Sequence, residues 1–265
     1  MNPAPCPIFV INLPGSTARL EDAARQFASA GLAFERIEAV DGRKLPAEEL
    51  ARLAPDNRGA FYHSLTPGEI GCYLSHLKAL RTIVERGVPA AVVFEDDFVL
   101  RPGFGACLRE LLAMGDSLPD VVKLHGTRRR GHAIRTLRCG AELVRSSDPP
   151  ICAVATLWTR DAAIRMIASS ECLRRPFDVA LKHWWDLGLD VQWVSAPVVS
   201  DSPRHTEQST IGNRKVRLLG QRLRQIRYRW IYAVEREYRY AQRFGVMAWL
   251  RSFNRISEHG RDSGL

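Results

Sequence analysis

Residues 90–97 read AAVVFEDD, and the junction inside that run limits what the chain can fold into. Five apolar residues, two of them β-branched, suit a strand buried on both faces in the middle of a parallel sheet. The strand runs straight into three carboxylates, which repel one another and are costly at the mouth of a low-dielectric core unless a cation offsets them. Side chains alternate along extended backbone, so Glu95 and Asp97 are expected on one side and Asp96 on the other. Two carboxylates on one side make a hard oxygen site for Mg²⁺ or Mn²⁺, completed by water and phosphate oxygens. It would lie beyond the carboxyl ends of the strands, where open α/β sheets bind ligands. A solvated acidic turn explains the same letters, and the run alone does not choose between the two.

The flanking sequence supplies the sheet that such a strand needs. Ile8 to Leu13 reads as a strand entering at an edge, closed by Pro14-Gly15. A helix follows from Ser16, with Leu20, Ala24, Phe27 and Ala30 at helical spacing and Gly31 as its stop. A second strand, Phe34 to Val40, ends on the turn signal Asp41-Gly42. Strand, helix, strand in about thirty residues is a right-handed βαβ unit, so both strand tips fall on the edge that carries the acids. Asn12, Arg19 and Asp41 are polar groups near that edge, although each alone suits a cap or a turn.

Thr66-Pro67-Gly68-Glu69 is a capping box with proline at the first helical position. The helix it opens carries Ile70, Tyr73, Leu74, Leu77, Leu80 and Val84 as one stripe, and holds Ser75, His76 and Lys78. Further strands are expected at 120–124, 152–158 and 191–194, and helices at 160–169 and from Pro176. Lys123 interrupts an apolar strand and needs a partner, which a phosphate would provide. The polar stretch 200–212, with Asp201, His205 and Glu207, reads as a lid or a plain surface loop.

The chain has 265 residues, 46% of them hydrophobic, enough for one large α/β domain. No apolar run approaches the roughly 18 residues of a membrane span. The N-terminus lacks a basic signal-peptide n-region, and six scattered cysteines form no CxxC pair, which together point to a reducing, cytoplasmic setting. From Arg214 onward there are 13 Lys and Arg against 4 Asp and Glu, so the whole net charge of +9 resides in the tail. There Leu219, Leu223, Ile226, Trp230, Val234 and Tyr238 recur at helical spacing among arginines. That is the profile of a helix lying on an anionic membrane surface, or of a stripe docked on the domain with solvated arginines. No RNA-recognition motif accompanies the charge, and nucleic acid is not an expected partner. The domain is expected to span 1–212 and the basic helical extension 213–265.

VINL followed by Arg19, AVDG at 39–42, LTPGEIGCYLSHLKAL at 65–80, VVFEDDFVL at 92–100, VKL at 122–124, PFD at 176–178 and STIG at 209–212 occur in the order of one family. The sequence resembles glycosyltransferase family 25, the lipopolysaccharide and lipooligosaccharide transferases related to the galactosyltransferase domains that act on collagen hydroxylysine. The resemblance covers roughly residues 7–212. It implies a GT-A-like single Rossmann-type domain with a mostly parallel central sheet flanked by helices. It further implies a UDP-sugar donor, commonly UDP-galactose, Mn²⁺ or Mg²⁺ at the acidic motif, and inversion at the sugar carbon. Glu95, Asp96 and Asp97 then become the metal and donor motif. Asn12, Arg19, Asp41 and Gly42 contact the nucleotide, and Thr66, Gly68, Gly71, Ser75, His76 and Lys78 line the donor pocket. Inversion needs a carboxylate to take the acceptor's proton. Asp178 is the expected base, Asp201 and Glu207 are the next candidates, and His205 completes the metal shell.

The function expected is transfer of a hexose to a lipopolysaccharide, lipooligosaccharide or related glycan or glycolipid acceptor, at the inner face of the cytoplasmic membrane. A nucleotidyl or phosphoryl transferase is disfavoured because no GxxxxGK[ST] sequence is present. A catalytically silent membrane- or partner-binding scaffold would predict a damaged acidic motif, and EDD is intact.

Overall fold

A computed structural model describes residues 6–55, 61, 63–125, 130–202 and 219–254. In chain order, β1 (Ile8–Asn12), α1 (Thr17–Ser29) and β2 (Glu35–Glu38) form the βαβ unit, and a single 3₁₀ turn at Gly42–Lys44 follows. Next come α2 (Ala47–Leu53), the long α3 (Pro67–Glu85), β3 (Ala90–Glu95), β4 (Phe98–Leu100) and α4 (Phe104–Leu112). The second half holds β5 (Val121–Lys123), β6 (His132–Thr136), β7 (Glu142–Arg145), β8 (Ala155–Thr159), α5 (Arg160–Ala168) and α6 (Phe177–Lys182). It ends with β9 (Val191–Val194), β10 (Val199–Asp201), α7 (Leu219–Phe244) and α8 (Val246–Arg251).

One eight-stranded sheet has the order β2-β1-β3-β8-β5-β9-β7-β6. β1 pairs in parallel with both β2 and β3, and β5 with β9, whereas β8 lies antiparallel between β3 and β5, and β7 is antiparallel to β9 and β6. Six of the eight strands therefore run one way. Two sequence expectations are corrected here. β1 is an inner strand and β2 the edge, because the parallel register Ile11↔Glu95 draws β1 against the acidic strand. The acidic strand has one antiparallel neighbour, since 155–159 returns directly along it.

Both faces of the sheet are covered, which is why β1 and β3 are apolar throughout. Phe9, Ile11, Ala91 and Val93 pack with α3 and α5, whereas Ile8, Val10, Val92 and Phe94 pack with α1 and α4. Each large side chain removed from water here contributes about 1.5–3 kcal/mol. The capping box of α3 forms as read, with Thr66 accepting from the Glu69 amide and the Glu69 carboxylate accepting from the Thr66 amide.

Helix α7 docks by a face other than its aliphatic stripe. Tyr240 is fully buried and Tyr232 nearly so, in company with Phe244. The Tyr232 hydroxyl donates to Asp148 at 2.9 Å, Arg236 pairs with the same carboxylate, and Arg145 stacks over Phe244 at 4.4 Å while gripping Asp190. Leu223, Ile226, Trp230, Val234 and Tyr238 stay 54–70% exposed. Tyr232, anchored at its hydroxyl, takes this surface because the domain presents the Asp148 carboxylate and the Lys182 carbonyl to the helix, while Tyr240 packs there through its ring against Trp184 and Phe244.

Candidate active site

The carboxyl ends of β1, β2 and β3, the first turns of α1 and α3, and the end of β10 enclose a cavity of about 290 Å³. The register that sets Ile11 beside Glu95 also sets Asn12 beside Asp96. Buried Asn12 donates to Asp96 Oδ2 at 2.7 Å and to the Ser16 carbonyl at 3.0 Å, while Arg19 from α1 holds Asp96 Oδ1 at 2.9 Å. Glu95 turns toward α3, where His76 Nε2 lies 3.0 Å from Oε1. The two neighbours thus point to opposite layers, as alternation requires.

Asp97 lies two residues beyond β3, and its backbone carbonyl accepts from the Ser202 amide at 2.7 Å. The pairing of β10 with β4 (Asp201↔Phe98) carries Asp201 to the same cavity. Asp97 Oδ1 is buried with no hydrogen-bond partner among the described residues. Burial, reinforced by the charges of Glu95 and Asp96, pushes this carboxyl up to about 7. Such an orphaned acid among acids is a group that a cation would satisfy.

Helix α3 presents Gly68, Cys72 and His76 at i, i+4 and i+8, so all three reach the cavity. The His76 ring is buried and stacks on Phe177 at 4.0 Å, and its Nδ1 has no partner among the described residues. Burial, with Glu95 and Asp178 next, holds the Cys72 thiol well above its ordinary value. Cys72, His76 and Glu95 are the one trio of His, Cys, Asp or Glu among the described residues whose ligand atoms lie within 4.8 Å of one another. That is a softer donor set than the carboxylates of Glu95, Asp96, Asp97 and Asp201.

The opposite wall is the 39–43 segment. Asp41 caps the 3₁₀ turn and pairs with Arg43 at 2.8 Å, which holds its carboxyl below the usual range. Gly42 and Gly71 let this turn lie directly on α3. A Cβ at Gly71 would meet Gly42 N at 2.5 Å and Val40 O at 2.6 Å, and one at Gly42 would meet Pro67 O at 1.8 Å. Ser75 ties the same contact by accepting from Val40 N and donating to Gly71 O.

Of the residues expected from sequence, Arg19, Asp41, Gly42, Gly68, Ser75, His76, Glu95, Asp96 and Asp97 line the cavity. Asn12 and Gly71 stand behind it through Asp96 and Gly42, and Thr66 caps α3 without lining it. Lys78 donates to the Glu38 carbonyl from the exposed side of α3. Lys123 needs no phosphate: its buried ammonium donates to the Pro150 and Cys152 carbonyls at 2.6 Å each, and burial brings it down to about 8. Asp178 is not on the cavity wall; its carboxylate accepts from the amides of Cys152 at 3.4 Å and Val179 at 2.8 Å. His205 and Glu207 lie outside the described residues. Sequence reasoning passed over three groups, Arg43, Cys72 and His125. Arg43 directly follows the Asp41-Gly42 turn and Cys72 precedes His76 by one helical turn, so both were findable. His125 pairs with Asp201 at 3.3 Å, a contact that only the fold creates.

A mostly parallel sheet with helices on both faces and an acid-lined cavity at its carboxyl edge defines a GT-A-like α/β domain. Residues 6–132 match the family model of glycosyltransferase family 25 (LPS biosynthesis protein). The chain is 35% identical over 102 residues to a glycosyltransferase 25 family member of Drosophila melanogaster, covering 37% of this chain and 17% of that one. It is 34% identical over 110 residues to procollagen galactosyltransferase 1 of Danio rerio, covering 40% and 18%. Over a similar 110 residues it is 33% identical to inactive glycosyltransferase 25 family member 3 of Mus musculus, covering 40% and 19%. The matches thus span about a fifth of the length of these relatives. No described helix is long and apolar enough to cross a membrane.

Proposed function

We propose that the protein is a metal-dependent, inverting glycosyltransferase that moves a hexose from a UDP-sugar to a lipopolysaccharide, lipooligosaccharide or related glycan. Galactose is the leading donor sugar, on the strength of the relative named as a galactosyltransferase. The observation that carries the reading is the buried Asp97 Oδ1, without a hydrogen-bond partner among the described residues, beside Glu95 and Asp96 at the sheet's carboxyl edge.

The residues fit a divalent cation. Arg19 pairs with Asp96 and Arg43 with Asp41, and Asp97 Oδ1 keeps no hydrogen-bond partner among the described residues. Glu95 and Asp97 would hold Mn²⁺ or Mg²⁺; when bound, the ion would offset the charge of the donor diphosphate as a Lewis acid. The chain's own groups prepare the rest. Arg19 and Asn12 fix Asp96 beside the ion site, His76 orients Glu95, and the tight Asp41-Gly42 turn walls the nucleotide side. Asp201 faces the cavity, and its pairing with His125 lowers its carboxyl, so it is ionised at neutral pH and placed to accept a proton from an acceptor hydroxyl. The geometry favours Asp201 over Asp178 in that role.

Isothermal titration of Mn²⁺ and a panel of UDP-sugars tests the reading, with Glu95→Gln/Asp97→Asn as the control. Metal-dependent donor binding and hydrolysis by the parent, both lost in the double variant, are expected. Full activity in that variant would remove the metal assignment. A parent that binds no nucleotide sugar would favour a silent scaffold, a reading that the relative named inactive keeps in view.

A further inference from the structure

Between Leu219 and Val234 helix α7 has no acidic residue. Leu223, Ile226, Trp230 and Val234 recur every three or four positions and so share one side of the helix, 61%, 54%, 70% and 66% exposed. Arg222, Arg227 and Arg229 lie among and beside them and are exposed too. The side held by Tyr232 and Tyr240 is already committed to the domain, so this second apolar side has no use inside the fold. The next helix continues the composition, with Val246, Met247 and Leu250 at 60%, 64% and 50% exposure.

We infer that this face of α7 docks in the plane of an anionic lipid surface, with Trp230 and its aliphatic neighbours in the headgroup boundary and the arginines on lipid phosphates. The charge argues for lipid. A protein partner would need an acidic rim of matching spacing, whereas a bilayer offers diffuse negative charge that suits flexible arginines around an apolar seam. Arginine stems extend along the apolar face while their guanidiniums reach the phosphates. The inference stands apart from the chemistry proposed at the cavity, since none of these residues lines it.

The test is flotation of the full chain with phosphatidylcholine vesicles, with and without phosphatidylglycerol, at low and raised salt. Binding to the anionic vesicles alone, weakened by salt, is expected. Arg222→Gln/Arg229→Gln should weaken partitioning about thirtyfold, taking about 1 kcal/mol for each arginine and tenfold per 1.4 kcal/mol. Trp230→Glu should abolish binding with helix content and melting temperature unchanged, because the residue is 70% exposed on the side of α7 away from the domain. Equal binding to neutral vesicles, no binding to either, or self-association in solution that Trp230→Glu breaks without any lipid effect would each overturn the inference. The arginine variant should still hydrolyse donor at the parent rate, which keeps this result separate from any failure at the cavity.

Discussion

Replacing Gly71 by alanine sets two effects of opposite sign against each other. In a helix interior alanine is favoured over glycine by about 1 kcal/mol, so propensity alone predicts stabilisation. Packing predicts the reverse. The new Cβ would stand 2.5 Å from Gly42 N, 2.6 Å from Val40 O and 3.0 Å from Gly42 Cα. All three are backbone atoms, so no side-chain rotation relieves the clash and the 40–42 turn itself must move. Overpacking of this kind costs about 1–3 kcal/mol, and the upper end applies when backbone yields. The net expectation is a loss of about 1–2 kcal/mol, or roughly 2–8 °C in melting temperature for a protein near this size. Urea unfolding should show a lower midpoint at constant slope. Gly105→Ala in α4 is the internal control. Its Cβ would meet only the end of the Arg109 side chain at 3.5 Å, so propensity acts alone and stability should hold or rise. Because Asp41 and Gly42 line the cavity, Gly71→Ala should also weaken donor binding. A Gly71→Ala protein as stable as its parent would refute the claim that backbone contact across this seam shapes the site.

In the metal-free protein Asp97→Asn should leave stability unchanged or raise it, because burial beside two carboxylates disfavours the ionised acid; a large loss on denaturation would show that the carboxylate is satisfied within the fold. Asn12→Ala removes donors to Ser16 O and to the Asp96 carboxylate and should cost about 1–3 kcal/mol by urea titration, with no loss if water replaces it freely. Asp201→Asn should lower transfer by about 10²–10⁴-fold and Asp178→Asn far less, and the opposite ranking in a steady-state assay would return the base to Asp178. His183, packed among Trp185, Tyr228 and Tyr232, is brought down to about 4 chiefly by burial. The unfolded chain therefore binds the extra proton first as pH falls, and stability should drop from about pH 6.5 to about pH 4 by up to about 3 kcal/mol. Denaturation at several pH values checks this, and His183→Gln should flatten the slope.

The parts legible in the sequence are those written in local pattern. The two-face burial of Ala90–Phe94, the βαβ unit, the Thr66–Glu69 capping box and the split of Glu95 from Asp96 follow from alternation, helical period and turn chemistry within a few residues. The family motifs then pointed to most of the cavity wall. Tertiary structure decided what depends on partners far along the chain. It gave Lys123 two backbone carbonyls from residues 150 and 152, and it brought His125 to Asp201. It also turned Tyr232 and Tyr240 of α7, not its Leu223–Tyr238 stripe, toward the domain. A side chain's periodicity reports that it has a face, whereas the surface that meets that face is built by strands and loops tens of residues away. Only their assembled charges and contours select which of two amphipathic sides is buried and which carboxylate oxygen lacks a hydrogen-bond partner among the described residues.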